Sequence, residues 1–524
     1  MAQQARRLPV GLQSFEKIRR EGYLYVDKTD IVWKLVHGDS QYNYLSRPRR
    51  FGKSILVDTL ACYFAGKKEL FEGLKIMDFE KEWTARPVVR LDMSCGGATA
   101  DELYAYLSDA FAKYEAQYGI CPPSTASLTT RFSNIIISAH EQTGQQVAVL
   151  IDEYDSPLQH SWGTVHHEEC TNIYRNVFAA LKTNDVHERF VFITGITKFT
   201  QISIFSALNN LSNISFVPSY APLCGITEEE IDTCLQPEVQ RLANYNGWTV
   251  EEARQRLKDY YDGYHFSARN MVDVYNPFSL INALSRGELQ NYWASSGSTS
   301  MLPKFVNDLE IHLSDFDPCM LPCNIAETSD VTGGEPALFL FQSGYLTIKS
   351  RETGVYVFGF PNQEVRQALS ENVLPTLAMR HSSEVKSLQA NLIVALQTGN
   401  ITEAKKSLKA LIADVPYSNK KLASMNMEKR YRLVISTILN AVGLRVEVEH
   451  MLANGRIDIV AEGTRYVYVM ELKLSNNGGM AAAANQIREN NYLAPFQGGA
   501  RKVIGLAVEL DNLGKGLIDW EEVC

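Results

Sequence analysis

A stretch near the N-terminus, residues 46–56, reads SRPRRFGKSIL and contains residue types that hold phosphate groups. Gly52, Lys53 and Ser54 match the end of the phosphate-loop signature GxxxxGK[ST], in which the lysine reaches the β and γ phosphates and the hydroxyl ligates Mg²⁺. The glycine that opens this signature is absent, because Arg47 stands at its position. The GKS tripeptide alone is weak support for a phosphate site, so the surrounding residues must decide.

Two acidic residues could supply the metal and water chemistry that a phosphate loop needs. Asp152 and Glu153 directly follow the apolar segment 147–151. In phosphate-loop enzymes an acid at this position holds Mg²⁺ through water, and a following glutamate orients the attacking water. Thr194 and Thr197 end the next apolar segment, where a hydroxyl could sense the γ-phosphate. Each feature alone is also typical of a solvated strand end.

A second group of charged residues, near the C-terminus, could bind a divalent metal. Asp458 lies in GRIDIV, and Glu471 and Lys473 lie in the following segment TRYVYVMELKLS. Residues two apart in a strand point to the same face, so Glu471 and Lys473 share one. An isolated pattern of this kind is also typical of a solvated sheet edge.

The register of this hairpin decides how far apart the two carboxylates lie. We expect a tight turn in which Glu462 pairs with Arg465. Asp458 then faces Val469, and Glu471 is its diagonal neighbour on the same face. Diagonal neighbours lie roughly 7–8 Å apart at the backbone, which is close enough for two carboxylates to share a metal.

The elements around the GKS tripeptide are those that a phosphate loop requires. The run YNYLS (42–46) has strand character, and apolar residues recur at helical spacing after Lys53. Three further segments look like buried parallel strands that end in polar residues: PVVRLDMS (87–94), QVAVLIDEYDSP (146–157) and RFVFITGITK (189–198). Ligands bind at the carboxyl ends of such strands, so the sequence predicts an α/β nucleotide-binding sheet.

The middle of the chain is predicted to be mainly helical. TEEEIDTCL begins with a capping box, in which Thr227 is the cap and Glu230 lies three residues later. Further on, LFLFQSGYLTIKS and GVYVFGFPN alternate like a hairpin, and the helical pattern EVRQALSENVL follows. Helix, hairpin and helix predict a small winged-helix-like module, for which we favour a structural or partner-docking role over DNA binding.

Composition and charge restrict the class of protein. The chain has 524 residues, 45% hydrophobic and 21% charged, as in ordinary globular proteins. No apolar stretch approaches the roughly 20 residues that span a bilayer, so no membrane partner is expected. The N-terminal segment lacks the apolar core of a secretory signal, and nine scattered cysteines fit a reducing cytoplasm without a cysteine metal site.

The net charge limits how the chain could bind nucleic acid. A formal charge of −9 argues against a protein that coats nucleic acid through a broad basic surface. A nuclease is not excluded, because its metal ions add local positive charge. Residues 427–524 contain eleven Lys plus Arg and twelve Asp plus Glu, a net of −1, so strong independent duplex binding is not expected.

Five segments together carry a resemblance to a known family. They are FEKIRREGYLYVDKT (15–29), RPRRFGKS (47–54), LIDEYDSP (150–157), FITGITKFTQISIFSALNNLSNIS (192–215) and YYDGYHF (260–266). With them the chain resembles, over nearly its whole length, the bacterial AAA-ATPase-like family, whose members commonly carry a C-terminal PD-(D/E)XK nuclease-like domain. The family characteristically has RPRRFGKS where other ATPases have an initial glycine, so Arg47 is a family trait.

The resemblance implies an ATP site with Mg²⁺. Ser54 and Asp152 would hold the metal, and Glu153 would orient the attacking water. The residues implied for nucleotide binding are Arg50, Gly52, Lys53, Ser54 and Asp152, with Thr194 as an accessory. Arg49 or Arg50 could contact phosphate or could be surface charge. The segment Asp27–Thr29 could close the pocket or cap the next helix, and the polar segment 198–211 could be functional or a plain loop.

For the C-terminal residues the resemblance implies Mg²⁺-dependent phosphodiester hydrolysis. Asp458 and Glu471 would bind the metal with the Leu472 carbonyl, and Lys473 would orient a water or stabilise charge. Oxygen ligands with retained waters suit Mg²⁺ or Mn²⁺ better than zinc. Further positions match the nuclease-like family: Glu428 and Gln486 as accessory residues, and more loosely Glu449, which could equally be an exposed strand residue.

The resemblance also implies a division of the chain. In order, we expect an AAA-like P-loop ATPase domain, a helical lid, the winged-helix-like module, a helical linker and a PD-(D/E)XK nuclease-like α/β domain: 1–225, 226–330, 331–380, 381–426 and 427–524. ATP binding or hydrolysis would reposition the nuclease on nucleic acid, DNA rather than RNA, in mobile-element or phage-defence work. A homo-oligomer is left open. The alternative is an ATP-switched scaffold that binds nucleic acid or protein without cleavage.

Overall fold

The computed structural model describes residues 6–197, 210–295, 318–328, 335–378, 382–413, 426–452, 455–499 and 501–523. Most of the polar segment 198–211, for which two interpretations were left open, lies outside these residues. The chain forms two compact units. One boundary between them falls between Asn362, in the first unit, and Gln363, in the second. In the described ranges no helix is long and apolar enough to cross a membrane.

The first unit is built on a sheet of five parallel strands in the order β2-β3-β4-β1-β5. The strands are β1 Tyr42–Ser46, β2 Val88–Asp92, β3 Val147–Asp152, β4 Glu188–Gly195 and β5 Ser212–Asn213. Every residue of β3 is buried, as expected for a central parallel strand covered on both faces. The parallel α/β sheet predicted from the apolar segments is therefore confirmed.

Helices connect these strands. They are α1 Phe15–Arg20, α2 Thr29–Val36, α3 Lys53–Phe64, α4 Ile76–Phe79, α5 Ala100–Gln117, α6 Leu128–Thr143, α7 Ser156–Ser161 and α8 His167–Thr183. The helix predicted after the GKS tripeptide is α3. It begins at Lys53 because Gly52, with φ of 88°, takes the left-handed conformation that the preceding turn requires.

A mainly helical part of the first unit follows the sheet. Its elements are β6 Ile226–Thr227, α9 Glu228–Glu230, α10 Gln236–Asn246, α11 Val250–Tyr261, β7 Val274–Tyr275, α12 Pro277–Arg286 and α13 Tyr292–Ser295, with a π-helical turn at Ile231–Leu235. The capping box predicted at Thr227 and Glu230 is present. Apolar residues of these helices form their own core cluster, which explains why the helical pattern is so regular here.

A three-stranded antiparallel sheet, β8-β10-β9, completes the first unit. Its elements are β8 Cys319–Pro322, α14 Cys323–Thr328, α15 Pro336–Ser343, β9 Thr347–Glu352 and β10 Val355–Gly359. The predicted hairpin is present as β9 and β10, but β8 was not predicted. The segment LFLFQS, expected in the first strand of the hairpin, lies in the helix α15 instead, so that part of the prediction was wrong. The following helix, α16 (Gln363–Ala378), belongs to the second unit, where it packs on α19 (Met427–Ala441). The stretch 331–380, expected to be one module, is thus divided between the units.

The second unit contains a five-stranded sheet in the order β11-β12-β13-β14-β15, in which β13 and β14 run parallel and the other neighbours antiparallel. The strands are β11 Arg445–Leu452, β12 Gly455–Glu462, β13 Tyr466–Leu474, β14 Lys502–Leu510 and β15 Leu517–Val523, and the further helices are α17 Ser382–Thr398, α18 Ile401–Ala413 and α20 Gly479–Glu489. One face of the sheet packs on α17, α18 and α19, and the other on α20.

The hairpin of β12 and β13 has a different register from the one expected. Glu462 pairs with Val467 rather than with Arg465. A four-residue loop, 463–466, replaces the tight turn, and it is closed by a 2.8 Å hydrogen bond from its first N–H to its last carbonyl. A shift by two residues leaves every side chain on its face, so the hydrophobic pattern does not distinguish the two registers.

This shift brings the two candidate carboxylates closer together than expected. The ladder pairs Ile459 with Met470, and one further step sets Asp458 opposite Glu471 instead of Val469. The diagonal arrangement was therefore wrong, although the shared face was right. Directly opposite residues have Cβ atoms about 4.5–5.5 Å apart, which favours a shared metal more strongly than a diagonal pair does.

Candidate functional site

The phosphate-type loop joins the carboxyl end of β1 to the start of α3. Arg50 (φ 67°) and Gly52 (φ 88°) both take left-handed backbone conformations, which turn the chain sharply before the helix. The first N–H groups of α3 have no intrahelical acceptor and carry the positive end of the helix dipole. The loop therefore has the backbone of an anion site.

Arg47, which stands where the signature has a glycine, is buried and points away from this anion site. Its guanidinium donates to the carbonyls of Ser46, Ser215 and Tyr220, each at 2.9 Å, and lies 4.1 Å from the centre of the Phe266 ring. Burial lowers its pKa to about 10. Arg47 thus ties the loop to the rest of the unit and is not a phosphate ligand.

Lys53 is buried at the start of α3. Its ammonium donates to the carbonyls of Arg47 and Pro48, both at 3.0 Å. Burial lowers the pKa of Lys53, although the nearby carboxylates of Glu153 and Asp152 oppose that effect. A buried ammonium whose hydrogen bonds among the described residues go to neutral carbonyls is poorly compensated, so an anionic ligand would be a favourable partner.

The acidic pair lies at the end of β3, beside Lys53. Asp152 is buried, which raises its pKa, and the neighbouring Ser54 hydroxyl acts in the opposite direction. Glu153 takes the left-handed conformation (φ 49°), and burial raises its pKa as well. Ser54 and Asp152 together form an oxygen-donor set of the kind that Mg²⁺ prefers. Glu153, with its raised pKa, is suited to accept a proton from water.

Lys53, Ser54 and Glu153 line one end of a cavity of about 400 Å³. Apolar side chains also line it, including Leu12, Leu24, Val26, Phe278 and Ile281, together with further polar and charged residues. The volume is in the range of small-molecule sites, which are mostly apolar with a few convergent polar groups. The cavity can therefore hold a ligand with a charged end and a flat apolar end.

Arg50 and the segment 27–29, for each of which the sequence allowed two interpretations, lie at different positions relative to this cavity. Arg50 lines it, and its guanidinium lies 4.9 Å from the centre of the Phe278 ring. Lys28 also lines it and pairs with Glu230 at 2.6 Å. Asp27 instead accepts the N–H and the hydroxyl of the first residue of α2, so it holds the start of that helix. The segment 27–29 serves both expected purposes.

The hydroxyl groups of the threonines near the end of β4 form hydrogen bonds within the protein. The Thr194 hydroxyl donates to the Leu45 carbonyl at 2.8 Å, and the Thr197 hydroxyl donates to Asp155 at 2.6 Å. Asp155, which the sequence analysis missed, also accepts the N–H groups of Ile196 and Thr197. Its signal was the second aspartate of the DEYD run. Asp155 fixes the end of β4, and neither threonine lines the cavity.

The C-terminal carboxylates are both buried in the second unit. Asp458 accepts the Leu472 N–H at 2.9 Å, and Lys473 donates to Glu471 Oε1 at 2.8 Å. Burial and the neighbouring Asp458 raise the pKa of Glu471 to about 7. Burial would lower the pKa of Lys473, but its bond to Glu471 raises it. The structure brings the three residues together as the sequence predicted.

One oxygen of Glu471 shows that a cation would fit here. Its Oε2 atom is buried and has no hydrogen-bond partner among the described residues. Such an orphaned oxygen is costly in a protein interior unless a ligand satisfies it. In the described ranges no three His, Cys, Asp or Glu side chains are arranged to hold a metal. Two carboxylates, a backbone carbonyl and waters remain a suitable set for Mg²⁺.

Arg432, on α19, is a site residue that the sequence analysis missed. Its guanidinium contacts Asp458 at 3.2 Å and Glu428 at 3.6 Å, and it also pairs with Glu449. Its side chain is only 6% exposed, and its Nε has no partner among the described residues. Arg432 therefore neutralises part of the negative charge of these carboxylates. An arginine one helical turn after Glu428 was the available signal.

The accessory residues lie at different distances from this cluster. Glu449 sits on β11 at the register position opposite Asp458 and has a left-handed backbone (φ 57°). Glu428 reaches the cluster through Arg432. Gln486, on α20, donates to the Tyr492 hydroxyl at 3.2 Å, and within the described residues it has no hydrogen bond to Asp458 or Glu471. The structure thus groups both glutamates with the carboxylates and leaves Gln486 apart.

Two comparisons of sequence agree with these sites. Residues 9–205 match the family model described as a predicted AAA-ATPase, and residues 426–520 match the PD-(D/E)XK nuclease superfamily. A relative from Azotobacter chroococcum mcd 1, described as an uncharacterized protein in the vnfD 5′ region, is 31% identical over 534 residues. The alignment covers 98% of this chain and 98% of the relative.

A comparison of structures gives a distant neighbour. It is the Aeropyrum pernix ORC1 protein in complex with DNA, with 11% sequence identity. The match covers 65% of this chain and 90% of that chain, with a TM-score of 0.24. A TM-score this low supports no conclusion about this chain.

Proposed function

This chain belongs to the predicted AAA-ATPase family and ends in a domain of the PD-(D/E)XK nuclease superfamily, and we propose that it couples ATP hydrolysis to Mg²⁺-dependent cleavage of nucleic acid. The observation that carries the ATPase proposal is the cavity into which Lys53, Ser54 and Glu153 converge. The opposed Asp458 and Glu471, with an orphaned buried oxygen, carry the nuclease proposal.

In the first unit, Lys53 and the N–H groups of α3 would bind the β and γ phosphates of ATP. Ser54 and Asp152 would hold Mg²⁺, which when bound neutralises charge that develops on the transferred phosphoryl group. Glu153 would orient the attacking water and take its proton, for which its raised pKa suits it. The apolar end of the cavity would cover the base.

In the second unit, Asp458 and Glu471 would hold Mg²⁺ together with the Leu472 carbonyl. The metal, when bound, polarises the scissile phosphate and acidifies a bound water. Lys473 keeps Glu471 in place through its 2.8 Å bond and would orient that water. The substrate that fits the resemblance is DNA rather than RNA, and mobile-element or phage-defence work is the role we assign.

Phosphate release from ATP, with and without DNA or RNA, tests the first activity. Lys53→Ala should abolish ATP binding, and Glu153→Gln should keep binding but slow turnover by about 100-fold or more, as loss of a general base does. The exposed Glu141→Gln on α6 is the matched control. Turnover that survives both Lys53→Ala and Glu153→Gln would exclude this site.

Cleavage of DNA and RNA substrates in Mg²⁺ or Mn²⁺ tests the second activity. Glu471→Ala and Asp458→Asn should each abolish the products, because each removes a metal ligand. The exposed Glu522→Ala on β15 should cut like the unmodified protein. Products that persist in Glu471→Ala would assign the cleavage to a contaminant or to another site.

A second candidate function is an ATP-switched scaffold that binds without cutting. The observation that favours it is Arg432, which already pairs with Asp458 in the second unit. Intact ATP binding and nucleic-acid binding with no cleavage in any divalent metal would support the scaffold. Metal-dependent products that require Asp458 would eliminate it.

A further inference from the structure

A second cavity in the first unit lies at the opposite end of the parallel strands from the phosphate loop. It has a volume of about 360 Å³. Its lining includes Arg86, two residues before β2, and Arg189, the second residue of β4. The phosphate loop instead follows the last residue of β1. We call this second cavity the aromatic-arginine pocket, after Trp33, Phe79, Trp83, Arg86 and Arg189 in its lining.

The two arginines bring positive charge to this pocket without a counter-ion. Burial, together with the charge of Arg189, lowers the pKa of Arg86. Arg189 donates to the Val36 carbonyl at 3.2 Å. In the described ranges neither guanidinium lies within ion-pair distance of a carboxylate. Two neighbouring like charges are unfavourable unless an anion joins them, so the pair indicates an anionic ligand.

The one buried acid of the pocket, Glu80, does not neutralise the arginines. Its Oε2 accepts the Tyr63 hydroxyl at 2.6 Å, and its Oε1 accepts the Glu82 N–H at 2.9 Å. His37 lies 3.5 Å from the same carboxylate. Glu80 is therefore satisfied by the wall of the pocket, and the arginines are free to hold a ligand.

Aromatic rings form the rest of the pocket. The Trp33 ring lies 5.5 Å from that of Phe79, which is 46% exposed. The Trp83 ring lies 5.7 Å from that of Tyr63. The indole N–H groups of Trp33 and Trp83 are buried and have no acceptor among the described residues. The exposed ring of Phe79 beside these indoles suits a flat ligand.

We propose that the aromatic-arginine pocket binds a small molecule in which a phosphate group is attached to a planar ring, the chemistry of a nucleoside monophosphate. Arginine is suited to phosphate because its planar fork donates two parallel hydrogen bonds. The aromatic walls would hold the ring by stacking. The volume lies within the range for small-molecule sites.

Calorimetric titration of the full chain in the Lys53→Ala background tests this proposal, because that background disables the phosphate loop. Nucleoside monophosphates should bind to it. Arg86→Gln should weaken that binding by about 10-fold or more, since a charge-assisted hydrogen bond is lost. Arg86 has no side-chain hydrogen bond or ion pair within the described part of the chain, so the variant should fold normally. Arg465→Gln, in the exposed 463–466 loop, is the matched control.

Two further ligands test the contributions of the arginines and of the aromatic rings separately. Inorganic phosphate and adenosine should each bind at least about 10-fold more weakly than adenosine monophosphate, because each lacks one of the two recognised groups. Binding unchanged in Arg86→Gln, or no binding of any nucleoside monophosphate to the Lys53→Ala protein, would overturn the proposal. Equal affinity for inorganic phosphate and adenosine monophosphate would overturn the proposed role of the aromatic rings. None of these results depends on ATP turnover, so this proposal and the proposed ATPase can fail separately.

Discussion

At the scale of single residues, Arg47 shows how a side chain can replace a glycine in a phosphate loop. A glycine at this position permits a tight turn through backbone freedom. Here three carbonyls, those of Ser46, Ser215 and Tyr220, are held by one guanidinium. The loop is therefore fixed by hydrogen bonds from a buried cation, and the missing glycine is not a defect.

This role of Arg47 predicts what happens when the missing glycine of the phosphate-loop signature is restored. Arg47→Gly should lower the free energy of unfolding by about 3 kcal/mol or more, because it leaves buried carbonyls without donors. It should also weaken ATP binding despite a better match to the signature. Arg50→Gly is the control for stability alone: a glycine relieves the left-handed backbone at that position and should cost little stability. Urea unfolding and calorimetric ATP binding measure both effects. Tighter ATP binding in Arg47→Gly would contradict the assigned role.

Glu188, the first residue of β4, predicts a pH dependence. It is buried beside the Tyr42 hydroxyl, at 2.6 Å, and burial raises its pKa to about 8. A raised pKa means that the folded state keeps a proton that the unfolded state has already lost. The resulting stabilisation is complete below the unfolded pKa and disappears as the pH rises through 8.

Glu188→Gln should remove this dependence, because glutamine stays neutral. Relative to the variant, the free energy of unfolding of the unmodified protein should fall by about 2 kcal/mol between pH 6 and pH 8, at about 1.4 kcal/mol per pKa unit. Urea unfolding at a series of pH values measures the difference, with the exposed Glu141→Gln as control. A difference that stays constant with pH would show that Glu188 is ionised in the folded protein.

At the scale of elements, α19 and the strands β11 and β12 meet at one guanidinium. Arg432 from the helix pairs with Glu449 of β11 and with Asp458 of β12, and also with Glu428 of its own helix. This cation holds the helix to the sheet at the place where the candidate metal site lies. Packing and metal chemistry are therefore linked at Arg432.

Arg432→Gln should lower the free energy of unfolding in EDTA by about 3 kcal/mol, because a buried carboxylate loses its partner. Added Mg²⁺ should restore part of that loss by supplying the missing positive charge. Arg445→Gln is the control, since Arg445 is 68% exposed and exposed pairs contribute at most about 1 kcal/mol. Urea unfolding with EDTA or Mg²⁺ measures both. A loss that Mg²⁺ leaves unchanged would show that Arg432 acts through packing alone.

At the scale of the whole molecule, charge determines how nucleic acid can be bound. The chain carries a formal net charge of −9, and its residues 427–524 a net of −1. Affinity for nucleic acid rests largely on neutralising phosphates with positive groups. Since the protein lacks a net positive charge, divalent cations would supply part of the attraction for the proposed nucleic-acid substrate.

Duplex binding should therefore depend on a divalent cation. With Ca²⁺ in place of Mg²⁺ to limit cleavage, the Kd should be at least about 10-fold lower than in EDTA. Asp458→Asn should remove most of that difference, whereas the exposed Glu522→Ala should not. Fluorescence anisotropy with a labelled duplex measures the Kd. Equal affinity in Ca²⁺ and EDTA would place the nucleic-acid contacts away from the carboxylates.

The local features of both sites could be predicted from the sequence because they depend on short segments. The capping box at Thr227, the start of α3 at Lys53 and the buried strand before Asp152 all follow from patterns within a few residues. The fold of both units was also predictable, because apolar periodicity determines which face each element buries.

Only the tertiary structure decided how distant segments meet. The register that sets Asp458 opposite Glu471 depends on a loop whose length leaves the hydrophobic pattern unchanged. Arg432 meets the carboxylates of Glu449 and Asp458, and Arg47 meets carbonyls about 170 residues away, through contacts that no local pattern records. The sequence by itself determined which groups could do chemistry; three-dimensional packing decided which of them are free for a ligand and which are already held.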